Sequence, residues 1–235
     1  APLAAKAYLW KSIDIEVTSV DLTSIAAGAG VSLGDAGVAG SASINIFDCD
    51  TTAYIGADAQ VNQDSTLTPE ATQSVTVHAG DYTTIKSGAG TIGIGMEGTG
   101  VGAGLDLAVV TKDTVAYIGD GADVKSKGEV TVESESNEEI LSVAANAGAG
   151  GSVGIAGSAS VQVVKTTTRA DIGKNAVVDA DDSVTVSADG DLKVTMIAGG
   201  VGVAGTAGVG AANTTLVHTD NVSAYIDDGA TVHAD

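Results

Sequence analysis

A long internal repeat is the feature of this sequence that most restricts its fold. The pattern A-x-I-x-x-x-A-x-V occurs four times, beginning at Ala53, Ala116, Ala170 and Ala224. The first interval between these alanines is longer than the other two, which are equal. A glycine precedes each of them at one constant distance, at Gly37, Gly100, Gly154 and Gly208. Such self-similarity is typical of repeat folds, in which one unit cannot bury its apolar face alone and neighbouring units stack.

Within each unit, apolar residues alternate with polar ones. In the triplet Val184-Thr185-Val186 the two valines share one face and the threonine occupies the other, as in a half-buried strand. Segments 119–121 and 227–229 combine Gly and Asp and predict turns between strands. Helical spacing of apolar residues is confined to residues 2–10, where a short helix is one interpretation.

These observations predict an all-β fold, namely a β-solenoid built from four repeats of about 54 residues. Equivalent residues should then form columns from coil to coil, the clearest being Ile55, Ile118, Ile172 and Ile226. Two or three coils per repeat, at about 4.8 Å each, would give a stack of roughly 40–60 Å. A closed β-barrel or a β-sandwich is the alternative, although neither requires such regular copying.

The repeat places a single solenoid domain at residues 13–235. Residues 1–12 break the pattern and are interpreted as an N-terminal cap, a linker or a remnant of cloning. The first interval is longer because the segment from Val61 to Val75 exceeds the equivalent segment from Val124 to Val130. The additional residues fall around 66–70, a proline-containing segment that predicts a surface loop.

Glycine is abundant, with 32 residues among 235, and much of it lies in glycine-alanine segments such as 147–151 and 199–205. Glycine weakens a strand unless another backbone approaches closely. We therefore expect these segments to be strands packed tightly against a neighbour. Flexible linkers are one alternative. A membrane span over residues 196–212 is another, and six glycines within it argue against a spanning helix.

Charge and composition exclude several function classes. The formal net charge of −20 opposes binding to nucleic acids and to anionic membranes. The three histidines, His78, His218 and His233, are far apart in sequence, and Cys49 has no recognisable base partner. The loop near residue 66 contributes only Asp64 and Glu70 as candidate carboxylates. The sequence thus predicts no catalytic residue, no cofactor site and no enzyme.

Acidic clusters at residues 48–50, 179–182 and 189–191 raise the question of Ca²⁺. A calcium site needs six to eight converging oxygens, and these clusters vary between the repeats. Solvated turns are therefore the interpretation for them, with Ca²⁺ at acidic turns as the alternative. No metal site is predicted.

One row of aromatic residues is a candidate surface stripe for a partner. Tyr54, Tyr117 and Tyr225 follow the anchor alanine in three repeats, and Asp171 takes this place in the other. Alternation of side chains predicts that this position points outward, opposite the alanine and isoleucine. A cross-coil ladder that stabilises the strands is the alternative to a binding role.

The repeated A-x-I-x-x-x-A-x-V pattern, which reads A-x-I-G-x-G-A-x-V at residues 116–124, occurs together with V-x-V triplets and glycine-alanine segments over residues 13–235. This combination resembles the repeat regions of giant bacterial exoproteins. These are the autotransporter and two-partner-secreted adhesins of the filamentous-haemagglutinin kind and the fusobacterial leukotoxin-like proteins. The resemblance implies a right-handed parallel β-helix that is exported across the outer membrane. It implies an extracellular location or one on the outer cell surface.

Three functions are compatible with this resemblance. The first is a non-catalytic structural or adhesive module of a large cell-surface or secreted protein. The second is a self-assembling extracellular fibre subunit that stacks through its open solenoid ends. The third is a segment of a leukotoxin-like toxin. The expected partners are neighbouring repeats or copies of the chain through its end coils, and a host-cell or matrix receptor, with no nucleic acid and no membrane insertion.

Overall fold

The computed structural model describes residues 6–7 and 19–235, and this part of the chain contains strands and no helix. The strands are long because alternation of side chains continues over about 20 residues without an interrupting proline. In chain order they are β1 (Lys6–Ala7), β2 (Ser19–Ser32), β3 (Ala36–Ile55), β4 (Gln60–Val61), β5 (Val75–Gly95), β6 (Thr99–Ile118), β7 (Asp123–Ser126), β8 (Val130–Gly150), β9 (Val153–Ile172), β10 (Val177–Ala180), β11 (Val184–Ala204), β12 (Ala207–Ile226) and β13 (Thr231–Ala234).

The strands form three parallel sheets. The short sheet has the order β1-β4-β7-β10-β13, the front sheet β2-β5-β8-β11, and the back sheet β3-β6-β9-β12. Within each sheet the spatial order is the chain order, and the succession front, back, short recurs along the chain. The all-β prediction is confirmed, and the parallel sheets are consistent with a parallel β-solenoid.

The strand pairings show how much chain one coil contains. Val184 pairs with Val130, Val130 pairs with Val75, and Thr99 pairs with Ala36, so each strand lies beside its equivalent in the next repeat. One repeat therefore makes one coil, fewer than the two or three from which the stack length was calculated. The reason is that each V-x-V triplet and the following glycine-alanine segment form one continuous strand of about 70 Å. The four strands of the front or the back sheet then span only about 14 Å, well short of the stack length calculated from two or three coils per repeat.

The predicted columns are present. Ile55, Ile118, Ile172 and Ile226 lie in register across the back sheet, as do the four anchor alanines. The four glycines Gly37, Gly100, Gly154 and Gly208 form another column. The two central isoleucines, Ile118 and Ile172, are fully buried with Val124 and Val178 at the end closed by the short sheet, which we call the wide end.

A tight turn connects each back strand to the following short strand. The backbone NH of Ala122 donates to the carbonyl of Gly119 over 3.2 Å, and Ala176 donates to Gly173 in the same way. The third residue of these turns has positive φ, at Asp58, Gly121, Asn175 and Gly229. Asp, Asn and Gly are the residues that adopt this conformation at low cost, so the predicted turns at 119–121 and 227–229 are confirmed.

The front and back sheets approach each other most closely at the opposite, narrow end, where short loops join them. A Cβ atom placed on Gly148 would lie 1.9 Å from the carbonyl oxygen of Ile155, and one on Gly93 would lie 1.9 Å from that of Val101. No side chain fits at these positions. The prediction that the glycine-alanine segments are strands in close contact with a neighbour is confirmed.

Between the two ends, the interior alternates between apolar and polar layers. A small apolar cluster of Ile85, Val110, Ile140 and Val164 lies at mid-length. On its narrow side, Asp106 is fully buried and accepts hydrogen bonds from Ser87 (2.6 Å), Ser142 and Gln162. On its wide side, Lys112 is fully buried between two carboxylates. Sequence reasoning missed both polar layers, because it took the polar side chains to face solvent.

Two sequence predictions concern the N-terminal region and the first loop. Lys6–Ala7 is a strand paired with Gln60–Val61, so these two residues are not helical. The remainder of residues 1–12, and residues 13–18 of the predicted solenoid domain, lie outside the described residues. The segment 62–74 has no regular structure and is mostly exposed around Thr66–Glu70, as predicted for a loop.

Candidate interaction surface

The outer face of the back sheet is apolar over the half that adjoins the narrow end. Five consecutive outward positions on each of four strands form this apolar face, and only Asn213 and Thr215 among them are polar. Its members are Val38, Gly40, Ala42, Ile44 and Ile46 of β3; Val101, Ala103, Leu105, Leu107 and Val109 of β6; Ile155, Gly157, Ala159, Val161 and Val163 of β9; and Val209, Ala211, Asn213, Thr215 and Val217 of β12. The face measures about 26 Å along the strands and about 14 Å across them.

These side chains are exposed because the interior at the narrow end has no room for them. The side chain of Ile46 is 79% exposed and that of Ile155 is 40% exposed. A row of small residues, Gly40, Ala103 and Gly157, forms a shallow groove between the larger ones. An exposed apolar patch of this size is typical of an interaction surface.

The front sheet has a similar outer surface at the same end. Ile25, Ile197, Val201 and Val203 are each more than half exposed there. Both faces of the narrow end are therefore apolar, while the residues between the sheets there are mostly Gly, Ala, Ser, Thr and Asn. The signal in the sequence was the alternation itself, which shows that the two faces differ but does not show which one lies inside.

The tyrosine stripe lies on the back sheet at the wide end. Tyr54 and Tyr117 stack with ring centroids 5.2 Å apart and planes inclined by 7°. Tyr225 is in the same column but is separated from them by Asp171. The structure thus brings two of the three predicted stripe residues into contact, and the stacked pair has the form of a cross-coil ladder.

Asp171 occupies an outward position of its strand but is nevertheless buried. Its position is on the outer side of the strand, yet the residue is only 7% exposed because it lies between Tyr117 and Tyr225 in the column. Arg169 Nε is 3.0 Å from Asp171 Oδ1, but the two atoms do not form a hydrogen bond. Burial raises the pKa of the Asp171 carboxyl, and the nearby Arg169 offsets part of this rise.

Because of this environment, we expect Asp171→Asn to change the free energy of unfolding. A raised folded-state pKa means that Asp171 favours folding only at pH values below its unfolded pKa, and this contribution is lost as the pH rises through the folded value. We expect Asp171→Asn to increase the free energy of unfolding by about 0.5–1 kcal/mol at pH 7 and to have no effect at pH 3. Urea denaturation at both pH values measures this.

The control for that prediction is Asp48→Asn, which removes one negative charge from an exposed position of the same sheet. It corrects for the general repulsion in a chain of net charge −20. An equal gain at pH 7 from both variants would contradict a specific cost at Asp171.

The remaining candidate residues are dispersed. His78 lies 3.4 Å from Glu133, His233 lies 3.3 Å from Asp179, and His218 is exposed on β12. Cys49 faces the interior of the first described coil, and burial together with the neighbouring Asp81 raises the pKa of its thiol. A thiol with a raised pKa is a poor nucleophile at neutral pH, and this argues for a packing role.

The acidic clusters do not converge. Residues 48–50 and 189–191 lie within β3 and β11 and not in turns, so that part of the interpretation is wrong. Asp181, from the cluster at 179–182, forms an ion pair with Lys127 across adjacent coils at 2.5 Å. In residues 6–7 and 19–235 no group of three or more His, Cys, Asp or Glu side chains is arranged to bind a metal ion.

The loop at 62–74 borders a small groove on the short-sheet side, with a volume of about 210 Å³. Asp64 lines this groove, but its carboxylate accepts hydrogen bonds from the hydroxyl and the backbone NH of Thr66. These hydrogen bonds lower the pKa of Asp64. Glu70 is not among the lining residues. The two candidate carboxylates therefore do not share this groove.

Comparison with known proteins gives no relative for this chain. Within the described ranges the fold has no helix with the length and apolarity that a membrane crossing requires. No protein-family model, curated protein or solved structure matches the sequence or the fold.

Proposed function

We propose that this chain is a non-catalytic structural module of a large bacterial cell-surface or secreted protein. In this proposal it is a right-handed β-solenoid of four repeats, and it forms part of a shaft with an adhesive surface. The handedness follows from the strong preference of parallel strand crossovers for the right-handed connection. The resemblance of the repeats to bacterial exoproteins supports the extracellular location.

The observation that carries this proposal is the register. Each repeat contributes one front, one back and one short strand, and it pairs with the next repeat at equivalent residues. Each coil presents on one side the same strand edges that it pairs with on the other side. A further coil can therefore be added without changing the existing ones. A spacer of adjustable length needs this property.

Duplication of one repeat tests the extensible architecture. A second copy of residues 130–183, inserted between Ser183 and Val184, should add one coil in register, because Val130 of β8 pairs with Val184 of β11. We expect an unchanged circular dichroism spectrum per residue and an unfolding m-value that rises in proportion to chain length. The matched control inserts a scrambled version of the same segment. Loss of cooperative unfolding in the duplicated chain, as in the scrambled one, would contradict the proposal.

Location is tested separately in the source organism. An antibody against the folded chain should label intact cells or the culture medium. Labelling only after lysis would contradict an extracellular role and would leave the solenoid fold unaffected.

An end-to-end fibre is the second candidate, and the last described coil favours it. No described strand pairs with the outer edges of β11, β12 and β13. Inward-facing residues of this coil are consequently open to solvent: Ile226 is 51% exposed, whereas its neighbour in the column, Ile172, is fully buried. Unpaired parallel edges of this length are templates for a further strand.

The fibre candidate predicts polymers whose size grows with protein concentration. Size-exclusion chromatography with light scattering detects them. Ile226→Asp places a charge in the exposed column and should abolish the growth, whereas Thr219→Asp on the outer face of the same strand should not. A constant monomer mass at high concentration excludes the fibre candidate.

A further inference from the structure

The most unusual chemical group in the interior is a lysine enclosed by two carboxylates. Lys112 Nζ lies 2.8 Å from Asp81 Oδ1 and 2.6 Å from Glu138 Oε1. The side chain of Lys112 is 0% exposed, and those of Asp81 and Glu138 are each 2% exposed. Lys112 belongs to the back sheet, whereas Asp81 faces it from the front sheet and Glu138 lies in the next front strand.

The surroundings of this group are closed to water and hold both apolar and hydroxyl side chains. Ala79, Val110 and Ile140, each two positions from a member of the group, are buried. Removing three charges from water is costly, and mutual attraction repays the cost only in part. Conversion of an ammonium and a carboxylate into a neutral amide would remove two of the three charges, so burial itself favours that product.

We propose that Lys112 and Asp81 condense to form an intramolecular isopeptide bond within the folded chain. The amine nitrogen Nζ bonds to Cγ of Asp81, one Cγ–O bond breaks, and one water molecule leaves. The ammonium and the carboxylate together supply both protons and the oxygen of that water. Formal charge is conserved, because the ion pair is neutral in sum and so is the amide, and no other reactant is needed.

Glu138 has the position of the proton carrier. It accepts a proton from the Lys112 ammonium along the 2.6 Å hydrogen bond, which frees the amine for attack. It then returns protons to the departing oxygen of Asp81 and ends ionised, as it began. Ser136 also donates a hydrogen bond to Glu138 Oε1 and so holds this carboxylate in place.

Hydrogen bonds from two threonines to the Asp81 carboxylate identify its Cγ as the carbon that is attacked. Thr83 donates to Asp81 Oδ1 over 2.9 Å, and Thr51 donates to Oδ2 over 3.2 Å. Hydrogen bonds to both oxygens stabilise the negative charge that develops when nitrogen adds to the carbon. Fixed proximity of amine and carboxyl replaces the need for chemical activation, since positioned groups can reach effective concentrations of about 10⁵ M or more.

Mass spectrometry of the folded, purified chain tests this proposal. The intact mass should be lower than the sequence mass by one water, and fragmentation should identify a branched peptide joining the Asp81 and Lys112 segments. Chain held in denaturant from the time of its synthesis should keep its full mass. A full mass after prolonged incubation of the folded wild type would overturn the proposal, as would a branch at Glu138.

Loss of water also occurs when Asp-Gly sequences form succinimides, and this chain has such sequences at 120–121, 189–190 and 228–229. Lys112→Arg keeps the charge but cannot form the bond, so it should retain its full mass apart from any succinimide. If Lys112→Arg loses the same water as the wild type, the isopeptide assignment is wrong.

The variant Glu138→Gln tests whether Glu138 carries protons in the reaction or only stabilises the fold. We expect cross-linking during refolding to slow at least tenfold while the circular dichroism spectrum stays that of the wild type. Cross-linking at the wild-type rate would overturn the role of Glu138. If neither variant folds, the peptide map of the wild type decides the proposal alone. None of these outcomes depends on the proposed function.

Discussion

Replacement of Ile172 by Asp is expected to reduce the free energy of unfolding by about 4 kcal/mol. Ile172 is fully buried, and its column neighbours Ile118 and Ile226 are also isoleucines. A carboxylate at this position would have no cation within the apolar cluster at the wide end, and it would also remove the packing of the isoleucine. Urea denaturation followed by circular dichroism measures the loss.

Ile226→Asp is the matched control, because it makes the same chemical change in the same column one coil further on. Ile226 is half exposed, so its carboxylate stays hydrated and the expected loss is below about 1 kcal/mol. Equal losses at the two positions would show that Ile172 is no more buried than Ile226 and would contradict the stacked arrangement.

Gly148→Ala is expected to have the second largest effect, a loss of about 3 kcal/mol. The added methyl group would lie 1.9 Å from the carbonyl oxygen of Ile155 and 2.8 Å from that of Gly100. Both contacts are with backbone, which cannot rotate away, so the front and back sheets would have to separate. Thermal denaturation by circular dichroism would report a lower midpoint.

Gly157→Ala provides the comparison, since a Cβ atom at Gly157 meets nothing within 4 Å. There the substitution should be neutral or stabilising by about 0.5 kcal/mol, because alanine reduces the entropy of the unfolded chain. If Gly148→Ala is tolerated as well as Gly157→Ala, the close approach of the two sheets at the narrow end does not exist in solution.

Stacking could be predicted from the sequence because a repeat copies residue identity into register. The anchor alanines and the isoleucine columns follow directly from the repeat spacing, and the pairing confirms them. The turns at 119–121 and 227–229 could be predicted as well, since few residues accept positive φ. The glycine-alanine segments were correctly assigned to close strand packing for the same local reason.

The number of coils per repeat could not be read from the pattern. A period of two is the same for one long strand and for several short strands separated by bends. Only the observed pairing of β8 with β11 over their whole length, from Val130 with Val184 onward, shows that the unit makes a single turn. The candidate interaction surface was missed for a related reason, as apolar residues were assumed to face inward.

The sequence by itself determined which residues lie above one another, because register depends only on spacing along the chain. The tertiary structure decided which face of each strand is enclosed, and this depends on the distance between the two sheets. At the wide end the sheets are far enough apart to enclose Ile118 and Val124. At the narrow end only Gly, Ala and small polar side chains fit, so Val38 and Ile46 are turned to solvent and Lys112, between the two ends, is sealed inside.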